Sequence, residues 1–135
     1  MVKTLKGGKV KLKILLVLTA LFGIVFGLAY LLFPKYLLDF FGVVQTDAVI
    51  MTSRFFGGSI LGYGVLAWSA RNAAGSQTRR AIKLALFIAF LIGLVLSILG
   101  VTSGFFNTLG WIPVAFFAFL SVAFGYFRFI KPENN

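Results

Sequence analysis

Four apolar stretches, each about as long as a bilayer is thick, constrain this chain more than any other feature. They run from about Ile14 to Phe33, Ala48 to Ala70, Ala81 to Val101 and Leu109 to Phe129. A helical span needs roughly 20 apolar residues, within a range of about 17–25. In lipid each stretch must satisfy its own backbone, and strand-like alternation is absent, so the expected state is helix. The reading is an all-α protein: a polytopic four-helix membrane bundle forming one domain over residues 1–135.

Composition agrees. The chain is 60% hydrophobic and only 12% charged, where soluble domains are nearer 45–50% and about 25%. A soluble fold of this size would not hide so much apolar surface. The first 33 residues imitate a secretion signal, with lysines ahead of an apolar run. The run is too long for a signal core and lacks a small-x-small cleavage site, so a retained span is expected.

The cations set the orientation. Lys3, Lys6, Lys9, Lys11 and Lys13 precede the first span. Arg71, Arg79, Arg80 and Lys83 surround the middle connection, and Arg128 and Lys131 follow the fourth span. Of the 13 cations only Lys35 and Arg54 fall elsewhere. By the positive-inside rule both termini and the middle loop are cytoplasmic. Tyr30, Tyr36 and Trp111 then mark the outer boundary and Trp68 and Tyr126 the inner one, as interfacial depth anchors.

The connections are short. Lys35 to Gly42, inside the outer segment Pro34 to Asp47, is amphipathic enough to lie at the interface, with Gly42 ending a short helix. The loop Asn72 to Thr78 is a plain connector in which Ser76 or Thr78 caps the third helix. The outer segment Thr102 to Thr108 is uncharged, and its Phe105-Phe106 pair dips into lipid or packs on a neighbour. Pro113 suits the first turn of the fourth helix.

Lipid chains are as apolar as leucine, so membrane helices associate by close packing of small residues. The first span offers Gly23 and Gly27, and the second Gly58 and Gly62. The third carries Ala81, Ala85, Ala89, Gly93 and Ser97, and the fourth Ser121 and Gly125. These stripes are read as internal packing faces. The alternative is that the third helix's ladder docks on another subunit.

Arg54 lies just inside the outer end of the second span. A charge at membrane depth costs about 2.5–3.5 kcal/mol on insertion scales, less near an interface. Arg54 shares a face with Gly58 and Gly62, so it is expected to point into the bundle or toward a subunit contact. Asp39 and Asp47 are its candidate partners, in an ion pair that pins the outer segment. A lipid phosphate, an anionic substrate or a partner's carboxylate are the alternatives. Tyr63 falls on the opposite side of that helix and is expected to bond a nearby carbonyl or hydroxyl. Gly62 to Ala67 matches G-x-G-x-x-A in form, but a dinucleotide fingerprint needs a strand before it and a helix opening at it.

Chemistry is sparse. There is no histidine and no cysteine, which excludes disulfides, thiolate nucleophiles and zinc sites built from those residues. The only carboxylates are Asp39, Asp47 and Glu133. No mid-membrane acid exists to relay protons, no acid cluster to hold a metal, and no polar stripe to line a channel. The expectation is a non-enzyme with no metal and no cofactor. The N-terminal lysines attract anionic lipid, at about 1 kcal/mol per cation near the surface. No aromatic interleaving suggests nucleic acid. The expected partners are membrane lipids and other membrane subunits.

The first half also resembles the DoxX-like group of small four-helix membrane proteins of bacteria and archaea. The likeness lies in Leu21-Phe22-Gly23 through Leu32-Phe33-Pro34, then in Arg54-Phe55-Phe56-Gly57-Gly58 with Gly62 and Gly64, over residues 14–70. Relatives often carry an acid just after the arginine, where this chain has Phe55 and Phe56. The resemblance implies a four-helix fold in a prokaryotic plasma membrane. It also implies association with membrane redox assemblies, since the group's namesake is a subunit of a quinone-linked oxidoreductase. The leading functional expectation is a non-catalytic accessory subunit of a larger membrane complex, of respiratory or redox type. One alternative is a small homo-oligomeric membrane carrier or pore for an anion or small molecule. Another is a pocket for a quinone or pigment, lined by some of the 17 phenylalanines.

Overall fold

A computed structural model describes the backbone of residues 2–73 and 76–130, with side chains of 11–73 and 77–130. The side chains of Lys3, Lys6, Lys9 and Ser76, and all of Lys131 and Glu133, lie outside the described residues. Helix α1 spans Val2–Leu32, α2 Pro34–Phe40, α3 Asp47–Ala70 and α4 Ser76–Thr102. A 3₁₀ turn, Thr108–Gly110, leads into α5, Trp111–Gly125, and the chain continues as a π turn, Tyr126–Ile130. The four stretches long and apolar enough to cross a membrane are Lys11–Leu32, Asp47–Ala70, Gln77–Thr102 and Thr108–Ile130. The protein is an all-α membrane helical bundle.

Local chemistry sets the boundaries. Pro34 has no N–H to donate, so α1 ends there and α2 begins with the proline in its first turn. Gly42 closes α2 at φ 69°, a left-handed conformation that glycine adopts without strain. The Val43 N–H then donates to the Leu38 carbonyl at 2.9 Å. The Thr46 hydroxyl accepts from the Val49 N–H at 3.2 Å, and Asp47 in the first turn of α3 complements the helix dipole.

The four spans form two antiparallel hairpins. In the first, α1 lies along α3 with backbones in contact. A Cβ added at Gly23 would sit 2.7 Å from the Gly64 Cα, and one at Gly27 would sit 2.6 Å from the Leu61 N. Gly57 makes the same close approach to α1 near Tyr30 and Leu31. In the second hairpin rings fill the notches: Phe117 lies against Gly93 and Phe87 against Gly125. The hairpins meet mainly through side chains. The buried core, with Leu12, Leu16 and Ala20 of α1, Ala67 of α3, Leu86 and Phe90 of α4, and Leu120 and Phe124 of α5, sits toward the basic end.

The packing face of α3 is rotated from the one expected. Gly58 and Gly62 do not pack among the described residues: a Cβ at either would meet nothing within 4 Å there. Gly57 and Gly64 hold the α1 contact instead. One residue turns a helix by about 100°, which moves the contact off Gly58. Gly23 and Gly27 pack as expected. On α4, Gly93 and Ser97 face inward and Ala89 is half-buried, but Ala85 points away from the chain. Phe106 packs against Gly100 and Gly110, whereas Phe105 is 70% exposed.

The positive-inside orientation is open to direct test, because no native cysteine interferes. Single cysteines at Thr46 and Thr108 are expected to react with an impermeant maleimide on intact cells. A cysteine at Gln77 is expected to react only after permeabilisation. The reverse pattern would invert the topology.

Candidate functional site

Between the hairpins, away from the packed basic end, lies a half-open cavity of about 150 Å³. Its position follows from unequal packing. Glycines draw α1 and α3 into backbone contact, while aromatic rings hold α5 off α1. Phe22 meets Phe116 edge-on with ring centroids 4.7 Å apart. Gly23, Phe26 and Tyr30 line the α1 side, Phe56, Ile60 and Tyr63 the α3 side, and Ile112, Pro113 and Phe117 the α5 side. Phe90 lies at the inner end, tilted or edge-on to Tyr63, Phe117 and Phe124 at 5.8–6.1 Å.

Phe41, just past α2, lines the outer end and contacts Phe106 at 6.1 Å. One side chain holds this end together. Asn107 Nδ2 donates to the Phe40 carbonyl at 3.0 Å, and its own N–H donates to the Phe41 carbonyl at 2.9 Å. Asn107 Oδ1 accepts from the Leu109 N–H at 3.0 Å, capping the 3₁₀ turn. Asn107 thus ties the outer segment of one hairpin to that of the other.

The lining is almost wholly apolar. Its side-chain polar groups are three hydroxyls. Thr19 Oγ1 donates to the Leu15 carbonyl at 2.8 Å. The hydroxyls of Tyr30 and Tyr63 make no hydrogen bond among the described residues. This corrects the expectation that Tyr63 bonds a nearby carbonyl or hydroxyl; the ring instead lies edge-on to Phe90. Tyr30, read from sequence as a depth anchor, lines the cavity with its ring edge-on to Phe56 at 5.1 Å. A signal for it was available: Tyr30 lies seven residues after Gly23 and so shares the α1 packing face.

Arg54 lies on the exposed face of α3 and forms neither a hydrogen bond nor an ion pair among the described residues. The expected pair with Asp39 or Asp47 is absent there. Asp39 accepts from Gln45 Nε2, and the same amide also reaches the Lys35 carbonyl. Asp47 sits two turns before Arg54 on the same helix, about 10 Å along its axis. Side chains on a helix lean toward its N-terminus, here the outer end, so Arg54 can extend its guanidinium to headgroup level. The described residues contain no group of three histidine, cysteine or acidic side chains able to hold a metal. What the site offers is an apolar, ring-lined volume with two hydrogen-bond donors.

Residues 11–116 match a protein family described as a domain of unknown function, DUF4345. No curated protein and no solved structure matches the chain.

Proposed function

We propose that this chain, which belongs to the DUF4345 family, binds an apolar, ring-bearing membrane ligand of the quinone or pigment class. The carrying observation is the aromatic cavity with unpartnered hydroxyls of Tyr30 and Tyr63 on its lining. Small-molecule sites are typically concave and apolar, with a few polar groups that fix orientation. A flat conjugated ring packs well among phenylalanines. A carbonyl on that ring satisfies a phenolic donor that lipid tails cannot. The likeness of residues 14–70 to the DoxX-like group, with its quinone-linked namesake, points the same way. The chain holds its ligand rather than converting it.

The test starts with protein purified from native membranes in mild detergent. A solvent extract is expected to contain a quinone or pigment, identified by absorbance and mass. Titration with a short-tailed benzoquinone is expected to quench the protein's fluorescence saturably at one site. Tyr63→Phe and Tyr30→Phe are each expected to weaken binding about 5–10-fold, the worth of one net hydrogen bond. An empty extract together with unsaturable quenching would sink the proposal.

A second reading, the accessory subunit, is favoured by a different observation. The α3 face bearing Arg54, Gly58 and Gly62 is exposed: among the described residues a Cβ at either glycine would meet nothing within 4 Å, and Arg54 forms no hydrogen bond or ion pair. Such a face suits a partner helix carrying a carboxylate near its outer end. Native mass spectrometry of gently extracted membranes tests it. A defined stoichiometry with larger proteins supports the subunit, and a lone monomer argues against it.

A further inference from the structure

The half-open cavity has a lateral mouth, and helix rise places it. The start of α5 lies beside the segment that follows α1, where Asn107 Nδ2 donates to the Phe40 carbonyl, so α1 and α5 run antiparallel. The edge-on contact of Phe22 with Phe116 fixes their register. Four residues rise about 6 Å along a helix. Phe26 therefore lies one turn outward of Phe22, and Ile112 one turn outward of Phe116. The two stand level with each other across the seam between α1 and α5. Both line the cavity. Both are also open to the surroundings of the bundle, at 41% and 55% exposure. Side chains that line a cavity and are half-exposed mark its mouth. Elsewhere the walls are closer. Between α3 and α4 the backbones approach, and the α4 residue on the lining, Phe90, is only 5% exposed. Phe56 of α3 is half-exposed but has no such counterpart on α4, and its ring is held edge-on by Tyr30. Between α1 and α5 the described backbones hardly approach, and the rings of Phe22 and Phe116 bridge the gap.

We infer, resting on the ring-binding reading above, that the ligand is a single ring system with a hydrocarbon tail, and that the tail leaves the bundle between Phe26 and Ile112 into the lipid. Volume is the first support. The cavity holds about 150 Å³, the size of an engineered apolar cavity that binds benzene. Drug-sized ligands fill pockets of about 300 Å³ or more. One ring system therefore occupies the space, and a larger ligand must place its remainder outside. Chemistry at the mouth is the second support. The stretches that form its two banks, residues 18–33 and 111–124, contain no charged side chain. Val25 and Phe119, both more than half exposed, continue the apolar surface beyond it. A polar or charged appendage would find no partner there, whereas an alkyl or isoprenoid chain stays in an apolar medium along its whole path. The tail also keeps such a ring in the membrane, since each buried methylene adds to its partitioning.

The test uses the full chain in lipid nanodiscs and a photoprobe, a benzoquinone whose decyl tail bears a diazirine near its middle. Crosslinks are mapped by peptide mass spectrometry. They are expected on residues 21–29 and 111–119, and to vanish with an excess of unlabelled decylbenzoquinone. In competition against the probe, decylbenzoquinone is expected to bind about tenfold more tightly than bare benzoquinone, the worth of about two methylenes held in the seam. Ile112→Trp narrows the mouth and is expected to shrink that ratio to less than about threefold. Competed crosslinks on residues 34–43 or 102–107, or along the seam between α3 and α4, would put the exit elsewhere and overturn the tail assignment while ring binding stands. So would a ratio that Ile112→Trp leaves unchanged. If bare benzoquinone fails to compete saturably, the ring-binding reading itself falls, and the tail assignment falls with it.

Discussion

A Gly64→Leu chain is expected to lose the α1–α3 hairpin, and with it the folded monomer, while Gly58→Leu leaves both intact. A Cβ at Gly64 would lie 2.8 Å from the Ile24 N, 3.0 Å from the Gly23 carbonyl carbon and 3.1 Å from the Ala20 O. All three are backbone atoms, so no side chain can swing aside. Leucine adds three further carbons, and the helices must separate. In lipid that separation is costly, because close packing is what holds membrane helices together. The expected loss is about 3 kcal/mol, the upper end of overpacking penalties. Gly58 has open space where its Cβ would lie, so its variant should stay within about 0.5 kcal/mol. Unfolding by a denaturing detergent, followed by circular dichroism, measures both. Equal losses would mean that the rotation of α3 has been assigned wrongly.

The second large effect is expected at Asn107. Asn107→Ala keeps the backbone bond to Phe41 and removes both side-chain bonds, to the Phe40 carbonyl and from the Leu109 N–H. The stability cost should be about 1–3 kcal/mol, since two polar groups lose their partner. The more telling effect is local. Without the clasp, α2 and Phe41 lose a tie to the second hairpin, and the outer end of the cavity opens more often. Hydrogen exchange over residues 34–43 is expected to rise, and benzoquinone to leave the site about tenfold faster. Ser103→Ala, an exposed serine with no side-chain hydrogen bond among the described residues, is the control. Unchanged exchange at α2 in Asn107→Ala would show that the clasp does not govern access.

Much of the fold was legible because a length and hydropathy matched to bilayer thickness are properties of short stretches. Each span's length, the stop at Pro34 and the Gly42 turn depend on neighbouring residues alone. Helix rotation was not legible. In a soluble helix the polar face announces the buried one, but here both faces are apolar. Gly57-Gly58 illustrates this: two adjacent glycines with the same chemistry, of which only the first meets α1. The expected Arg54 pair failed because Asp39 accepts from Gln45 instead, a contact that no sequence pattern displays. A phenylalanine-lined pocket was among the alternatives, but its place and the part Tyr30 plays in it were missed, because a void arises from the distance between two hairpins. Lys83 was counted as one cation of a topology signal, whereas its burial and its bond to the Phe127 carbonyl, 44 residues later, show only in the fold.

The pairing of consecutive spans bears on how the molecule is made. Helix α1 finds its tightest partner in α3, and α4 finds its own in α5. Each hairpin is therefore complete within its own stretch of chain, and the first can assemble while the second is still on the ribosome. Contacts between the hairpins, such as Asn107 with Phe40 at a separation of 67 residues, lie at the seam between them. That seam is where the cavity lies, so a ligand supplied during synthesis could be enclosed as the halves close rather than threaded in afterward.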